Sequence, residues 1–324
     1  MIHDWNSRNW LQDVKKWLLA VLHDVTDSDL QTLHIAHIRP WSRVLRVNTR
    51  TGVMWFKANT LESAYEADII RLLATRKPHS LPHLLAVHEY LPWFVTGNAG
   101  KPVVQHSQPR RALREWIDII RSYAQLQQSS APLAETLVQT GVADLRPQRL
   151  PFVLTTMLEQ DPLHLCSSKE KRQIETLMPN LHNWCNELHC DGISPTIQHD
   201  DLHLSNVLYS QDTYRFIDWA DAVIAHPFGS LLYPLRAIEN VSPADSHHFG
   251  RQLMDAYLDC WPSLNHQIAQ RSIKLAMSTA AIGRALTWRK VTTGVDRNKV
   301  KAYYADGFAR WLKILEDDLK DASP

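Results

Sequence analysis

The chain has 324 residues, 44% of them hydrophobic and 21% charged, which is typical of a globular protein of about two domains with a buried core. Its 35 lysines and arginines nearly balance 34 aspartates and glutamates, so the net charge provides no long-range attraction to nucleic acid or to an acidic membrane. The sequence contains no run of 18 apolar residues, and we therefore expect no membrane-spanning helix.

The first 97 residues predict a small α+β domain. Residues 7–25 repeat apolar side chains at helical spacing, and three β-like runs follow, "LQTLHIAHIRP", "RVLRVNTR" and "GVMWFKAN". Turn residues separate these runs, which favours an antiparallel meander. The segment "LESAYEADIIRLLATRK" then predicts a helix capped by Asn59 or Thr60, and two more strands are expected in "PHLLAVHEYL" and "WFVTG".

The segment "GNAGKP" at 97–102 is the strongest turn signal, and we place a domain boundary there, between residues 1–97 and 98–324. After it the pattern is almost entirely helical. Three short strands are expected in "TIQH", "NVLYS" and "YRFID". Helices are predicted near 110–127, 131–139, 147–159, 168–190, 244–260, 264–290 and 299–319.

A cluster of polar residues lies between the short strands of the second domain. It reads His199-x-Asp201-x-x-x-x-Asn206, with Asp218 at the end of the next strand. Transfer of phosphate from ATP requires an acid that orients the attacking hydroxyl and oxygen ligands that hold Mg²⁺. Asp201 is the candidate for the first task, and Asn206 and Asp218 are the candidates for the second.

The same chemistry requires a cation on the phosphates, supplied from the first domain. Lys57 lies on the third strand, directly before the helix. An acid on that helix should fix the lysine, and Glu62 and Glu66 are both available. Ile69, Ile70 and Leu73 follow Glu66 at helical spacing, so Glu66 borders the buried stripe and is the candidate partner.

These residues resemble a known family. "HDDLHLSNVL" followed by "FIDW" is similar to the H-G-D-L-H-x-x-N-x-L…I-D-W/F signature of aminoglycoside phosphotransferase and choline kinase-like enzymes. The resemblance implies a two-lobed protein-kinase-like α+β fold, with a small antiparallel-sheet N-lobe and a larger, mostly helical C-lobe. It also implies that ATP lies between the lobes with Mg²⁺, its adenine near Thr96, and that the acceptor is a small molecule such as an amino sugar or amino alcohol.

Three features depart from that signature, the first being "AHPFGSL" in place of an acid-bearing segment after Asp218. Asp200 stands where a glycine is usual, and the turn "RPWSR" that would cover the phosphates contains no glycine. We expect the hydroxyl of Ser42 and the nearby arginines to cover the phosphates instead.

The remaining polar residues of the loop have simpler interpretations. We expect Asp200 to be solvated, His199 to bond the loop backbone and Asp221 to cap a helix or support a metal ligand. The histidine at position 203 is equally consistent with contact to substrate and with loop packing.

The leading hypothesis is an ATP- and Mg²⁺-dependent small-molecule kinase. One alternative is a non-catalytic nucleotide-binding protein, which the glycine-free turn favours. Another is a metal-dependent hydrolase that uses His199, Asp200, Asp201 and His203 as ligands. A protein kinase is disfavoured because "IDWADAVIAHPFG" leaves no room for an activation loop.

The polar start and four cysteines without a CxxC pair are consistent with a reduced, cytoplasmic location. We expect a monomer or homodimer with no nucleic-acid or membrane partner.

Overall fold

The computed structural model describes residues 7–160, 167–261, 264–293, 307 and 309–313. A five-stranded antiparallel sheet with strand order β1-β2-β3-β5-β4 opens the fold, as predicted. Its strands are β1 (His34–Arg39), β2 (Ser42–Thr49), β3 (Gly52–Asn59), β4 (Leu84–Val87) and β5 (Trp93–Gly97). Three helices accompany it: α1 (Arg8–Val21), α2 (Asp27–Gln31) and α3 (Glu66–Ala74).

The rest of the described chain is mostly helical. Its helices are α4 (Pro109–Ser130), α5 (Ala134–Gln139), α6 (Leu150–Glu159), α7 (Ser168–Cys190), α8 (Leu232–Val241), α9 (Ser246–Leu258) and α10 (His266–Thr293). Short strands form two three-stranded sheets: β6 (Lys101–Pro102), β7 (Ala143–Asp144), β8 (Thr196–Gln198), β9 (Val207–Ser210), β10 (Thr213–Phe216) and β11 (Val223–Ala225). No helix in the described part of the chain is both long and apolar enough to cross a bilayer.

The sheet is stabilised by an aromatic core on one face. Alternation in β2 buries Leu45 and Val47, and α1 covers them with Val14 and Leu18. Phe56 of β3 is fully buried, and three tryptophan rings meet it edge-on at centroid distances of 5.7–6.1 Å. This packing fixes β3 and therefore the position of the lysine that follows Phe56.

Several predicted boundaries were wrong. The helix expected over 61–77 begins only at Glu66, because Leu61–Ser63 forms a 3₁₀ turn. The Thr60 side chain caps nothing, whereas the Asn59 amide donates hydrogen bonds to Ser63 O and to the Glu66 carboxylate.

Other elements also differ from the prediction. The first two residues of the run "LQTLHIAHIRP" belong to α2 and not to a strand. The strands β6, β7 and β11 and the helix α8 were not predicted. Most of the helix expected at 299–319 lies outside the described residues. Within that range, the described residues 309–313 are helical.

A buried polar network fixes the start of the polar loop. Gln127 of α4 donates to the carbonyl oxygens of Ile197 and Pro227 and accepts from the hydroxyl of Tyr257. The hydroxyl of Tyr123, on the same helix, accepts from the backbone N–H of His199 at 2.7 Å. Because buried polar groups without partners are costly, these bonds hold the loop in one register on α4.

We expect Phe56→Ala to lower the free energy of unfolding by about 3–5 kcal/mol, since the substitution leaves a cavity among packed rings. Chemical denaturation measures this loss. Phe152→Ala is the matched control, because Phe152 is 59% exposed, and we expect it to change stability by at most about 0.5 kcal/mol. A similar loss for both variants would show that the aromatic cluster does not anchor β3.

Candidate active site

A cavity of about 890 Å³ is lined by the sheet, by the 201–221 segment and by α10. Every site residue predicted from the sequence lines it. These are Ser42, Lys57, Glu66, Thr96, Asp201, Asn206 and Asp218. Side chains from parts of the chain more than 150 residues apart therefore face one space.

Lys57 lies at the centre of the site. Its ammonium Nζ is 2.7 Å and 2.8 Å from the two carboxylate oxygens of Glu66 and 2.6 Å from Oδ1 of Asp218. Burial alone would lower the pKa of Lys57, but the carboxylates of Asp218 and Glu66 outweigh it and hold the pKa above its usual value. The lysine is therefore a permanent cation at the floor of the cavity.

Glu66 links this cation to both parts of the structure. As the first residue of α3 it is 1% exposed, and its carboxylate also accepts from the Asn59 amide at 2.7 Å and from the Trp219 backbone N–H at 3.1 Å. The choice of Glu66 over Glu62 as the partner of Lys57 is confirmed by these contacts. Nearby, the hydroxyl of Tyr65 donates to Ala220 O at 2.8 Å, so the start of α3 is bonded to the segment after Asp218.

Asp218 and Asn206 offer oxygens of the kind that Mg²⁺ prefers. The Asp218 side chain is half-exposed and has a left-handed backbone (φ 65°), which turns the chain sharply after β10. The amide nitrogen of Asn206 donates to the backbone oxygen of Asp201 at 2.9 Å, which leaves Oδ1 as the remaining polar atom of Asn206. One carboxylate and one amide oxygen fit Mg²⁺, which usually takes few protein ligands together with phosphates and water.

Asp201 is held from both sides. Its Oδ1 lies 3.4 Å from Nη2 of Arg284, and its Oδ2 lies 3.3 Å from His203 Nε2 and 3.3 Å from the Asn206 amide. Burial would raise the pKa of Asp201, but the Arg284 guanidinium and His203 outweigh burial, and the pKa falls below its usual range. The carboxylate is therefore ionised and can accept a hydrogen bond from a hydroxyl.

Asp200 is not solvated, contrary to prediction. Its backbone is left-handed (φ 62°), and its carboxylate is buried, accepting from Gln198 Nε2 at 2.9 Å and from the Thr287 hydroxyl at 3.2 Å. Burial raises the pKa of Asp200 to about 7, although Arg284 opposes the shift. The left-handed backbone explains the glycine of the similar signature, since glycine adopts it without strain. Asp221 accepts from Arg284 at 2.8 Å.

The ligand set of the hydrolase hypothesis does not converge. His199 donates from Nε2 to Ile217 O at 2.8 Å, which confirms its predicted backbone-bonding role, and Asp200 points into the core, away from Asp201 and His203. Within the described ranges, no three His, Cys, Asp or Glu side chains are grouped so that they could hold a metal ion.

A two-residue turn joins β1 to β2 above the cavity. Ser42 is buried at the end of this turn, and Arg39 lines the cavity beside it. Arg43 does not reach the cavity wall, because its guanidinium stacks 4.9 Å above the Trp10 ring. Of the two arginines that flank the turn, only Arg39 is placed to cover phosphates.

Sequence reasoning missed the wall that α10 supplies. Arg284 and Trp288 of α10 line the cavity together with Tyr233 of α8, and the Trp288 ring meets Trp41 of the β1–β2 turn edge-on at 6.1 Å. A signal for Arg284 exists in the sequence, because "AAIGRAL" places one arginine in an apolar helical run. A buried cation of this kind requires acidic partners, which the sequence alone does not identify.

Comparisons with known proteins identify a family and a fold. The model of the phosphotransferase enzyme family matches residues 40–266, more than half of the chain and all of the predicted site residues. Residue 284 lies beyond the matched region. A search of curated proteins finds no match.

Solved structures show the same fold at low sequence identity. The ethanolamine kinase of Plasmodium vivax is similar with a TM-score of 0.67 and 11% identity, covering 98% of this chain and 94% of that one. The GDP and kanamycin complex of APH(2")-IIia has a TM-score of 0.60 and 13% identity, covering 95% and 99%. A thermostable mutant of aminoglycoside phosphotransferase APH(4)-Ia, in ternary complex with AMP-PNP and hygromycin B, has a TM-score of 0.60 and 13% identity, covering 95% and 98%. The predicted two-lobed protein-kinase-like fold is confirmed.

The buried Asp200 makes stability depend on pH. Its folded-state pKa of about 7 lies above the usual 3.8, so folding takes up a proton in this interval and stability falls as the pH rises from about 4 to above 7. We expect Asp200→Asn to reduce the loss of melting temperature between pH 5 and pH 8. Asp13→Asn, at an exposed site, serves as control and should leave that loss unchanged. Equal pH dependence in wild type and Asp200→Asn would contradict this assignment.

Proposed function

The chain belongs to the phosphotransferase enzyme family, and on that premise we propose that it is a kinase that transfers the γ-phosphate of ATP, bound with Mg²⁺, to a hydroxyl of a small molecule. One observation carries the proposal. The ammonium of Lys57 lies 2.6 Å from Asp218, which is 161 residues away in the chain and belongs to the helical lobe. A cation for phosphates and an oxygen ligand for a metal thus meet at one point of the cavity.

Lys57 holds the phosphates in this proposal. Glu66 is buried and keeps the ammonium fixed, whereas Asp218 is half-exposed and can exchange its contact with Lys57 for another. Phosphate oxygens then take the place of Asp218 at Lys57, and Asp218 and Asn206 would hold Mg²⁺. When bound, the metal would neutralise charge on the phosphates.

Asp201 orients the acceptor. Its ionised carboxylate accepts a hydrogen bond from the acceptor hydroxyl, whose oxygen attacks the γ-phosphorus. The bond from the γ-phosphorus to the bridging oxygen breaks, ADP leaves, and the hydroxyl proton passes to Asp201. Since the lowered pKa makes Asp201 a weak base, we infer that it contributes mainly by positioning and takes the proton late.

The nucleobase is proposed to lie at the end of β5. Thr96, Gly97 and Phe94 line this part of the cavity. Two structural neighbours hold AMP-PNP and GDP, which supports a purine nucleotide donor. Ser42 and Arg39 are the proposed cover of the phosphates in place of glycines.

The acceptor is proposed to be an amino sugar or amino alcohol. Two neighbours bind kanamycin and hygromycin B, and a third is an ethanolamine kinase. Beyond Asp201 the ring of Trp288 lines the cavity, and aromatic faces attract ammonium groups. Tyr233 and Trp311 also line this part, but their rings already lie beside the Arg284 guanidinium.

We further propose that the lobes divide after Gly97, giving residues 1–97 and 98–324, because β6 pairs with β9 of the helical lobe. A cytoplasmic monomer or homodimer is consistent with a nucleotide-dependent reaction.

We expect Asp201→Asn to lower kcat by about 10²–10⁴-fold, since the amide cannot take a proton, while Mg²⁺-dependent thermal stabilisation by ATP persists. The assay follows ATP and GTP consumption with ethanolamine, choline, kanamycin and hygromycin B as acceptors. Asp212→Asn, in the exposed β9–β10 turn, is the control and should retain wild-type turnover. Turnover unchanged in Asp201→Asn would remove Asp201 from its role. Stabilisation by ATP with no transfer to any acceptor would favour a non-catalytic nucleotide-binding protein.

A further inference from the structure

A charge cluster centred on one buried arginine lies beneath the polar loop. Arg284 of α10 has a side chain that is only 4% exposed, and it faces three carboxylates. Its Nη1 lies 2.8 Å from Asp221 Oδ2 and 3.7 Å from Asp200 Oδ2, and its Nη2 lies 3.4 Å from Asp201 Oδ1. The guanidinium therefore contacts the proposed catalytic residue Asp201, its neighbour Asp200, and Asp221 in the segment after Asp218.

The surroundings of Arg284 leave its guanidinium little freedom. The rings of Tyr233 and Trp311 lie 5.7 Å and 5.9 Å from it, and Thr287, one turn along α10, donates to Asp200. The Nε of Arg284 is buried and has no hydrogen-bond partner among the described residues. Burying a charge in this way is costly, and packed apolar side chains often stabilise a core at least as well. The cluster is therefore poorly explained by stability alone.

The contacts of Asp201 indicate what the cluster does. Arg284 approaches Oδ1, while Asn206 and His203 approach Oδ2. A carboxylate held at both oxygens has a fixed plane, so the direction in which it can accept a hydroxyl proton is also fixed. A planar guanidinium with several donors suits this task better than the single ammonium of a lysine.

Building on the proposed kinase function, we propose that Arg284 is a positioning residue that aims the carboxylate of Asp201 at the acceptor hydroxyl, and that Asp200 and Asp221 fix its guanidinium. Asp200, which stands where the similar signature has glycine, then contributes to the same positioning of Asp201. The left-handed backbone of Asp200 sends its side chain into the core, where it contacts both Arg284 and Thr287 of α10. The polar loop is thereby held by two residues of α10, Arg284 and Thr287, that lie beyond the matched family region.

The first test compares Arg284→Met and Arg284→Lys with Arg271→Met. Arg271 lies on the same helix and forms an exposed ion pair with Glu187, so it controls for loss of an arginine from α10. With Mg²⁺-ATP and whichever of ethanolamine, choline, kanamycin or hygromycin B the wild type phosphorylates, we expect Arg284→Met to lower kcat about 100-fold and to change the KM for ATP less than about threefold. Arg284→Lys should recover about tenfold of that loss, because it keeps the charge without the planar fork. A folded Arg284→Met protein with kcat within twofold of wild type would overturn the proposal.

A second variant separates positioning from charge neutralisation. Arg284→Met leaves buried carboxylates uncompensated, so it is combined with Asp200→Asn, which removes one of them. We expect the double variant to recover melting temperature relative to Arg284→Met while its kcat stays low. Full recovery of kcat would mean that Arg284 only neutralises Asp200 and would overturn the proposal.

A third measurement does not depend on activity. We expect amide hydrogen exchange of residues 199–206 to be at least about tenfold faster in Arg284→Met than in Arg271→Met, because the loop loses its attachment to α10. Equal exchange in the two variants would overturn the proposal even for a protein without turnover. Absence of turnover by the wild type, with faster loop exchange in Arg284→Met, would instead count against the kinase function and leave the attachment of the loop intact.

Discussion

The ammonium of Lys57 imposes the constraint on which the site depends. A buried cation must be compensated, and its two partners come from different parts of the chain, Glu66 from α3 and Asp218 from the end of β10. The ion pairs of Lys57 with Glu66 and Asp218 therefore hold the sheet against the helical lobe at one point. Glu66 strengthens this junction by accepting from the backbone of Trp219, so the backbone after Asp218 stays attached to α3 when the Asp218 side chain changes its partner.

The site contains two charge clusters that differ in access to the cavity. In the first, Lys57 faces two carboxylates, and the half-exposed Asp218 can give up its contact when another anion arrives. In the second, Arg284 faces three carboxylates, and its side chain is almost fully buried. The first cluster is suited to exchanging partners during a reaction cycle, and the second is suited to holding its partners still. On this view the nucleotide enters at the exchangeable cluster, while the fixed cluster keeps Asp201 aligned.

The sequence predicted the elements whose patterns are local. The strand that carries Lys57, the stripe that selects Glu66 and the long helices all follow from periodicity, and α7 was predicted with its observed bounds. Strands of two or three residues such as β6 and β11 have too few residues to show a period. The burial of Asp200 was missed because it depends on contact with α10, more than 80 residues away in the chain. Local patterns locate chemical groups well, whereas their surroundings are set by tertiary packing.

A crystal structure of the protein with Mg²⁺ and AMP-PNP would show whether Lys57 binds the phosphates. We expect phosphate oxygens within hydrogen-bonding distance of Lys57 Nζ, with the metal bound by Asn206 and Asp218 and with Glu66 still paired to the lysine. Nucleotide bound elsewhere, with Lys57 still in contact with Asp218, would contradict it.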